Sequence, residues 1–99
     1  MRRGEIWRYK PVLDRPGQST LRLIVSSDAV TDRGPAVYAV HVLTDNPGSL
    51  LVASVGGLGW ADVRQIDRTI QSRLVEHVGT ATPEQMEDVD NVPQAVFDL

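Results

Sequence analysis

Apolar and polar residues alternate with a period of two through most of the chain, and clusters of Gly, Pro, Asn and Asp cut the alternation into short pieces. The first piece, residues 4–10, predicts a strand with Trp7 and Tyr9 on one face and Ile6, Arg8 and Lys10 on the other. Pro11 to Ser19 predicts a loop centred on Asp14-Arg15-Pro16-Gly17. Residues 20–27 carry the clearest strand pattern, with Leu21, Leu23 and Val25 alternating against Thr20, Arg22, Ile24 and Ser26. After a turn at Asp32-Arg33-Gly34-Pro35, residues 36–44 predict a third strand. Tyr38, Val40, Val42 and Thr44 share one of its faces, and Val37, Ala39, His41 and Leu43 the other. Asp45-Asn46-Pro47-Gly48 turns the chain into a short fourth strand over 50–53, ended at Gly56-Gly57, and residues 59–66 predict a fifth.

Residues 67–80 fit two patterns. Ile70, Leu74 and Val78 suit a helical turn, whereas Leu74-Val75 suits the start of a strand. The last segment reads as helix. Thr82 is an N-cap, Pro83 occupies the first helical position and Gln85 completes a capping box. Met86, Val89, Val92 and Val96 follow at near-helical spacing, and Pro93 is expected to kink or break the helix. The expected fold is mainly β, a small antiparallel barrel with a C-terminal helix.

A length of 99 residues points to one domain spanning 1–99. A core of that size gives marginal stability, which makes dimerisation a natural way to bury more apolar surface. The absence of cysteine removes disulfides, thiolate metal sites and cysteine nucleophiles together. No apolar run follows Arg2-Arg3, so a signal peptide is not expected, and no run approaches the ~18 residues of a membrane span. These features point to the cytoplasm. The net charge of −3 argues mildly against nonspecific nucleic-acid binding. Its distribution is uneven: residues 1–34 carry seven Arg or Lys against four acids, while residues 83–99 carry five acids and no base. That is compatible with a polyanion site confined to one face, and equally with two ordinary solvated surfaces.

Standard catalytic sets are absent from the sequence pattern. His41 and His77 lack partners at metal-ligand spacing, and no metal or cofactor is expected. Within its strand, His41 reads as a satisfied structural histidine rather than a proton shuttle. Gly56-Gly57-Leu58-Gly59 lacks the lysine and helix of a phosphate loop. What is left is Arg22, a charge inside an apolar strand, and Thr44 at the end of the next. A guanidinium beside a hydroxyl at a barrel rim suits a phosphate, although both residue types are also ordinary on a strand.

Several segments, in order, resemble a known family. Arg3-Gly4-Glu5-Ile6-Trp7 resembles the RGDIW opening of the MazF/PemK/Kid toxins, the ribonuclease arm of type II toxin–antitoxin pairs. Leu23-Ile24-Val25-Ser26-Ser27-Asp28 resembles the strand that follows their Arg-Pro pair, and Val40-His41-Val42-Leu43-Thr44 the strand ending in their catalytic threonine. Asp62-Val63-Arg64-Gln65-Ile66, with Arg73-Leu74 and Val78-Gly79, is similar to their QIRTID region. The resemblance implies an SH3-like barrel of the CcdB/Kid type and a homodimer. It also implies metal-independent cleavage of single-stranded RNA, in which the 2′-hydroxyl attacks the neighbouring phosphate. A cognate antitoxin with an acidic C-terminal segment is the implied protein partner.

Carried over residue by residue, Thr44 falls on the catalytic threonine and Gln65 on a glutamine near the RNA groove. The arginine position falls on Thr20, with Leu21 in place of the proline. Arg22 lies two residues on, a displacement of about 6–7 Å along the same strand face. A long side chain recovers part of that distance, a deletion in the strand would restore the register, and Arg15 in the flanking loop is another source of charge. The residues expected to act are therefore Arg22 and Thr44 in catalysis, with Arg15, Gln65, Thr20 and Trp60 holding RNA. Trp60 suits base stacking or an interface, while Trp7 suits the core or a dimer contact. The competing expectation is a non-catalytic binding module of the same fold, favoured by the negative charge and the displaced arginine. A gyrase-binding toxin of the CcdB type is less favoured, since the tail offers only Phe97 where an aromatic pair is expected.

Overall fold

The computed structural model describes the backbone of residues 1–11, 19–48 and 51–97, and the side chains of these as far as Val92. Six strands form one antiparallel sheet: β1 Glu5–Tyr9, β2 Leu21–Ile24, β3 Ala36–Leu43, β4 Val52–Ser54, β5 Trp60–Ile70 and β6 Leu74–Thr80, in spatial order β4-β5-β3-β2-β1-β6. A six-residue helix α1, Asp28–Arg33, joins β2 to β3, and α2, Pro83–Phe97, follows β6.

The period-two pattern is realised with both sheet faces covered. Ile6, Leu23, Val40, Val42 and Ala61 enter the main core, which Ala81, Met86 and Val89 close from α2 and its approach. The alternate positions Ile24 and Val37 join Leu74 in a smaller cluster, against which Trp7 and Tyr9 pack. The sheet is rolled. Leu58, just after β4 at one end of the strand order, abuts Gly79 of β6 at the other, where a Cβ would press on its side chain.

The structure departs from expectation in four places. Residues 67–80 are strand on either side of a 3-10 turn at Gln71–Arg73, so β5 runs on to Ile70 and β6 begins at Leu74. Leu74 is buried while Val75 and Glu76 are exposed, as befits an edge strand whose few inward positions leave little periodic signal. Helix α1 was not expected. The Val30 amide donates to the Ser27 hydroxyl at its N-cap, and Gln71 donates to the carbonyls of Thr31 and Gly34, fixing the short helix to the turn after β5. Helix α2 is not broken at Pro93. The proline removes one amide donor, yet Met86 and Val89 anchor the preceding turns in the core and the helix continues to Phe97. The fourth strand spans Val52–Ser54 rather than 50–53. The turn expected around Asp14-Arg15-Pro16-Gly17 lies outside the described residues.

Candidate functional site

Cross-strand register assembles one cluster of charge. Trp7, Arg22 and His41 sit opposite one another on β1, β2 and β3, while Ala39, two residues from His41 on the same face, is opposite Asp67 of β5. Together with Tyr9, Arg68, Thr69, Ile70 and Arg73, the three residues Arg22, His41 and Asp67 line an open cavity of about 390 Å³.

Arg22 is only 2% exposed. Its Nη1 donates to the carbonyls of Ser19, at 2.8 Å, and Leu21, at 3.0 Å. Its guanidinium carbon lies 4.5 Å from the centroid of the Tyr9 ring. No described carboxylate reaches it within 4.0 Å. Burial lowers its pKa, opposed by the more distant charges of Asp67 and Tyr9, and an arginine keeps its proton at neutral pH regardless. Beside it, His41 Nε2 and Asp67 Oδ2 are 2.6 Å apart. An ionised carboxylate only accepts, so Nε2 is the donor, and in the neutral imidazole Nδ1 carries the lone pair.

A second groove, of about 610 Å³, opens at the ends of β2 and β3. It is lined by Arg8, Ser19, Thr20, Leu21 and the segment from Val42 to Pro47, Thr44 included. The Ser19 hydroxyl donates to the Val42 carbonyl at 2.6 Å and ties the two strand ends together. Arg8 is half-exposed and meets Glu76 only at 3.6 Å, so it is the one cation that lines this groove among the described residues and is not tightly held.

The expected catalytic pair is therefore not gathered in one cavity. Arg22 shares the sheet face of His41, whereas Thr44 continues the face of Val42, and strand alternation sends them to opposite sides. Ser19 stands between the two, its carbonyl on Arg22 and its side chain in the Thr44 groove. Thr20, where the resemblance expects the arginine, does share the groove with Thr44. Gln65 lies in neither cavity. One step on β3, from Val40 to His41, matches four on β5, from Ile66 to Asp62, so Val63, Arg64 and Gln65 bulge out. Asp62, fully buried, holds the bulge. It accepts from the backbone and side chain of Arg64 and, at 2.8 Å, from Gln65 Nε2. The Arg64 hydrogen bonds, with that from Gln65, hold its carboxyl below the usual range despite its burial. Trp60 opens β5 opposite Leu43 and Ser54, half-buried and outside both cavity linings. Trp7 stacks on His77, with ring centroids 5.4 Å apart, and donates to Glu5. Arg15 lies outside the described residues.

Tyr9, His41, Asp67, Arg68 and Arg73 were not singled out as site residues from the sequence. The signal lay in the strand register, since pairing Arg22 opposite His41 puts two polar groups side by side on a face otherwise built of Trp7, Ile24 and Val37. Among the described residues no cluster of His, Asp or Glu has the geometry to hold a metal ion, and no helix is long and apolar enough to cross a membrane.

No protein-family model and no curated protein sequence matches the chain. Solved structures do. An endoribonuclease from Mycobacterial species superposes with a TM-score of 0.81 at 21% identity, covering 100% of this chain and 92% of that one. An endoribonuclease in complex with its cognate antitoxin, also from Mycobacterial species, gives 0.82 at 21% identity, covering 100% and 96%. MazF from Deinococcus radiodurans gives 0.73 at 15% identity, covering 99% and 96%. The chain thus has the fold of these endoribonucleases and of MazF, a mainly β sheet with a C-terminal helix.

Proposed function

We propose that this protein is the toxin of a type II toxin–antitoxin pair, an endoribonuclease that cuts single-stranded RNA by attack of the 2′-hydroxyl on the adjacent phosphate. The observation that carries the proposal is Arg22, a buried cation with no carboxylate in ion-pair contact among the described residues, facing an open cavity on a MazF fold. Asp67 offsets this charge only from beyond ion-pair distance, and a buried cation so weakly paired is costly unless an anion completes it. A phosphate does so, and the extra negative charge of the phosphorane does so more strongly than the ground state, which is the differential stabilisation that catalysis needs. The two carbonyls and the Tyr9 ring fix the guanidinium before substrate arrives, so no reorganisation accompanies the reaction.

Arg68 and Arg73 extend the positive lining of this cavity. Thr20, Thr44 and Arg8 in the neighbouring groove hold the flanking nucleotide, Ser19 being the wall between. Thr44 is thus an RNA-positioning residue rather than the partner of Arg22 at one phosphate. Gln65 acts through Asp62 on the bulge of β5. An antitoxin segment rich in carboxylates suits the same arginines and would inhibit by occupying them. The protein acts as a single domain, as a homodimer and in the cytoplasm.

Thr20 in the family's arginine position favours a second reading, an RNA-binding module that does not cut. One assay separates them. Single-stranded RNAs of varied sequence are incubated with the protein in excess EDTA. Cleavage that Arg22→Ala reduces about 100-fold or more supports the nuclease. RNA bound but left whole across the panel supports the binding module.

A further inference from the structure

Within that nuclease reading, we propose that His41 is the proton-transfer group and that Asp67 positions it. His41 is mostly buried, its side chain 15% exposed, and it borders the cavity beside Arg22. Asp67 takes one ring nitrogen, at 2.6 Å. Nδ1 meets no hydrogen-bond partner among the described residues, and no fully buried side-chain nitrogen or oxygen there is left unpaired, so Nδ1 is solvent-accessible. A histidine oriented by a carboxylate on one nitrogen and free on the other is poised to accept a proton at the free one. The strand register makes the arrangement rigid. Arg22 and His41 are cross-strand neighbours on β2 and β3, and Asp67 projects from β5 onto the same face.

The step balances without a metal or co-reactant. His41 Nδ1 accepts the proton of the 2′-hydroxyl as the 2′-oxygen forms its bond to phosphorus. Arg22 stabilises the added negative charge on the phosphorane oxygens. The bond from phosphorus to the 5′-oxygen then breaks, and that oxygen leaves with its electron pair and takes a proton from water. The imidazolium returns its proton to solvent, leaving a 2′,3′-cyclic phosphate and a 5′-hydroxyl. Among the described residues, the charged and titratable groups that line the cavity with His41 are Arg22 on β2, Tyr9 on β1, Asp67 and Arg68 on β5, and Arg73 in the turn before β6. Asp67 is the one carboxylate among these, so its charge offsets the arginines when the imidazolium forms.

The test is the rate of RNA cleavage in EDTA under saturating RNA, measured from pH 5 to pH 9 for the wild type, His41→Gln and Asp67→Asn. Circular dichroism checks that each variant is folded. His41→Gln is expected to lower kcat about 100-fold or more, with KM changed less than about threefold, and to flatten the acidic limb of the profile. Asp67 is exposed, so Asp67→Asn is a safe second variant. It is expected to lower kcat about tenfold and to move the acidic limb to lower pH, because a neutral amide no longer supports the imidazolium. Wild-type cleavage with an unchanged rate and profile in either folded variant would overturn the dyad and leave the nuclease standing. Intact RNA with the wild type would overturn both. Should His41→Gln fail to fold, the limb shift in Asp67→Asn decides alone.

Discussion

At the scale of single residues, the site rests on a charge placed where stability alone would not place one. Arg22 sits in an apolar strand with two carbonyls and an aromatic ring for company, and no carboxylate in ion-pair contact among the described residues. Removing an uncompensated buried charge is often neutral or stabilising, whereas losing the Tyr9 contact costs about 0.5–2 kcal/mol. Arg22→Met is therefore expected to leave the unfolding free energy within about 1 kcal/mol of wild type, or raise it, while removing cleavage. Urea denaturation beside the RNA assay checks this; a large loss of stability would make Arg22 a structural residue. Thr44 and Arg8 predict a different pattern, since both are exposed and the fold does not lean on them. Thr44→Ala and Arg8→Ala are expected to raise KM several-fold with kcat little changed. Arg8→Ala is also expected to lower the slope of log Kd against log salt by about 0.7, the contribution of one phosphate contact on a single strand.

At the scale of elements, the β5 bulge and the turn before it carry the strain that shapes the sheet. Gly59 leads into β5 with φ of 128°, and a Cβ there would lie 2.1 Å from the Leu43 carbonyl oxygen. Both the conformation and the clash oppose a side chain, so Gly59→Ala is expected to destabilise by at least about 2–3 kcal/mol in chemical denaturation. Asp62 holds the bulge, and its depressed carboxyl carries a pH signature. A group whose pKa is lower folded than unfolded contributes stability that is present above the ordinary carboxylate range and is lost as pH falls through the folded value. Acid unfolding of the wild type should therefore steepen below about pH 4, and Asp62→Asn should flatten that slope. The elements legible in the sequence were those whose apolar residues are dense and bounded by turn or cap signals. β2 and β3 face a core on both sides and are apolar at most positions, and the N-capped α2 buries Met86 and Val89. The end of β5, from Asp67 to Ile70, was not legible, because Asp67, Arg68 and Ile70 are exposed and Thr69 alone is buried there. Nor was α1, whose six residues are too few to show one. Pro93 misled for a related reason, since a local rule about one amide was outweighed by the packing of two preceding turns.

At the scale of the whole molecule, a chain of net charge −3 places Arg8, Arg22, Arg68 and Arg73 along two adjoining cavities. The fold itself was readable as an ordered series of weak motifs, each unspecific alone. The site was readable only in part: the importance of Arg22 follows from one charge in an apolar strand, but its partners come from neighbouring strands whose register no local pattern encodes. That register is why Thr44, next in the motif series, lies on the far side of Ser19, and why His41 and Asp67 lie on the near side. The central claim is that these groups cut RNA by internal attack. It is tested most directly by the ends of the product. A single-stranded RNA labelled at its 5′ terminus is treated with the protein in EDTA, and the fragments are identified by mass spectrometry. The account predicts a 2′,3′-cyclic phosphate on the upstream fragment, a 5′-hydroxyl on the downstream one, and neither with Arg22→Met. RNA recovered whole, or fragments bearing a 5′-phosphate, would contradict it.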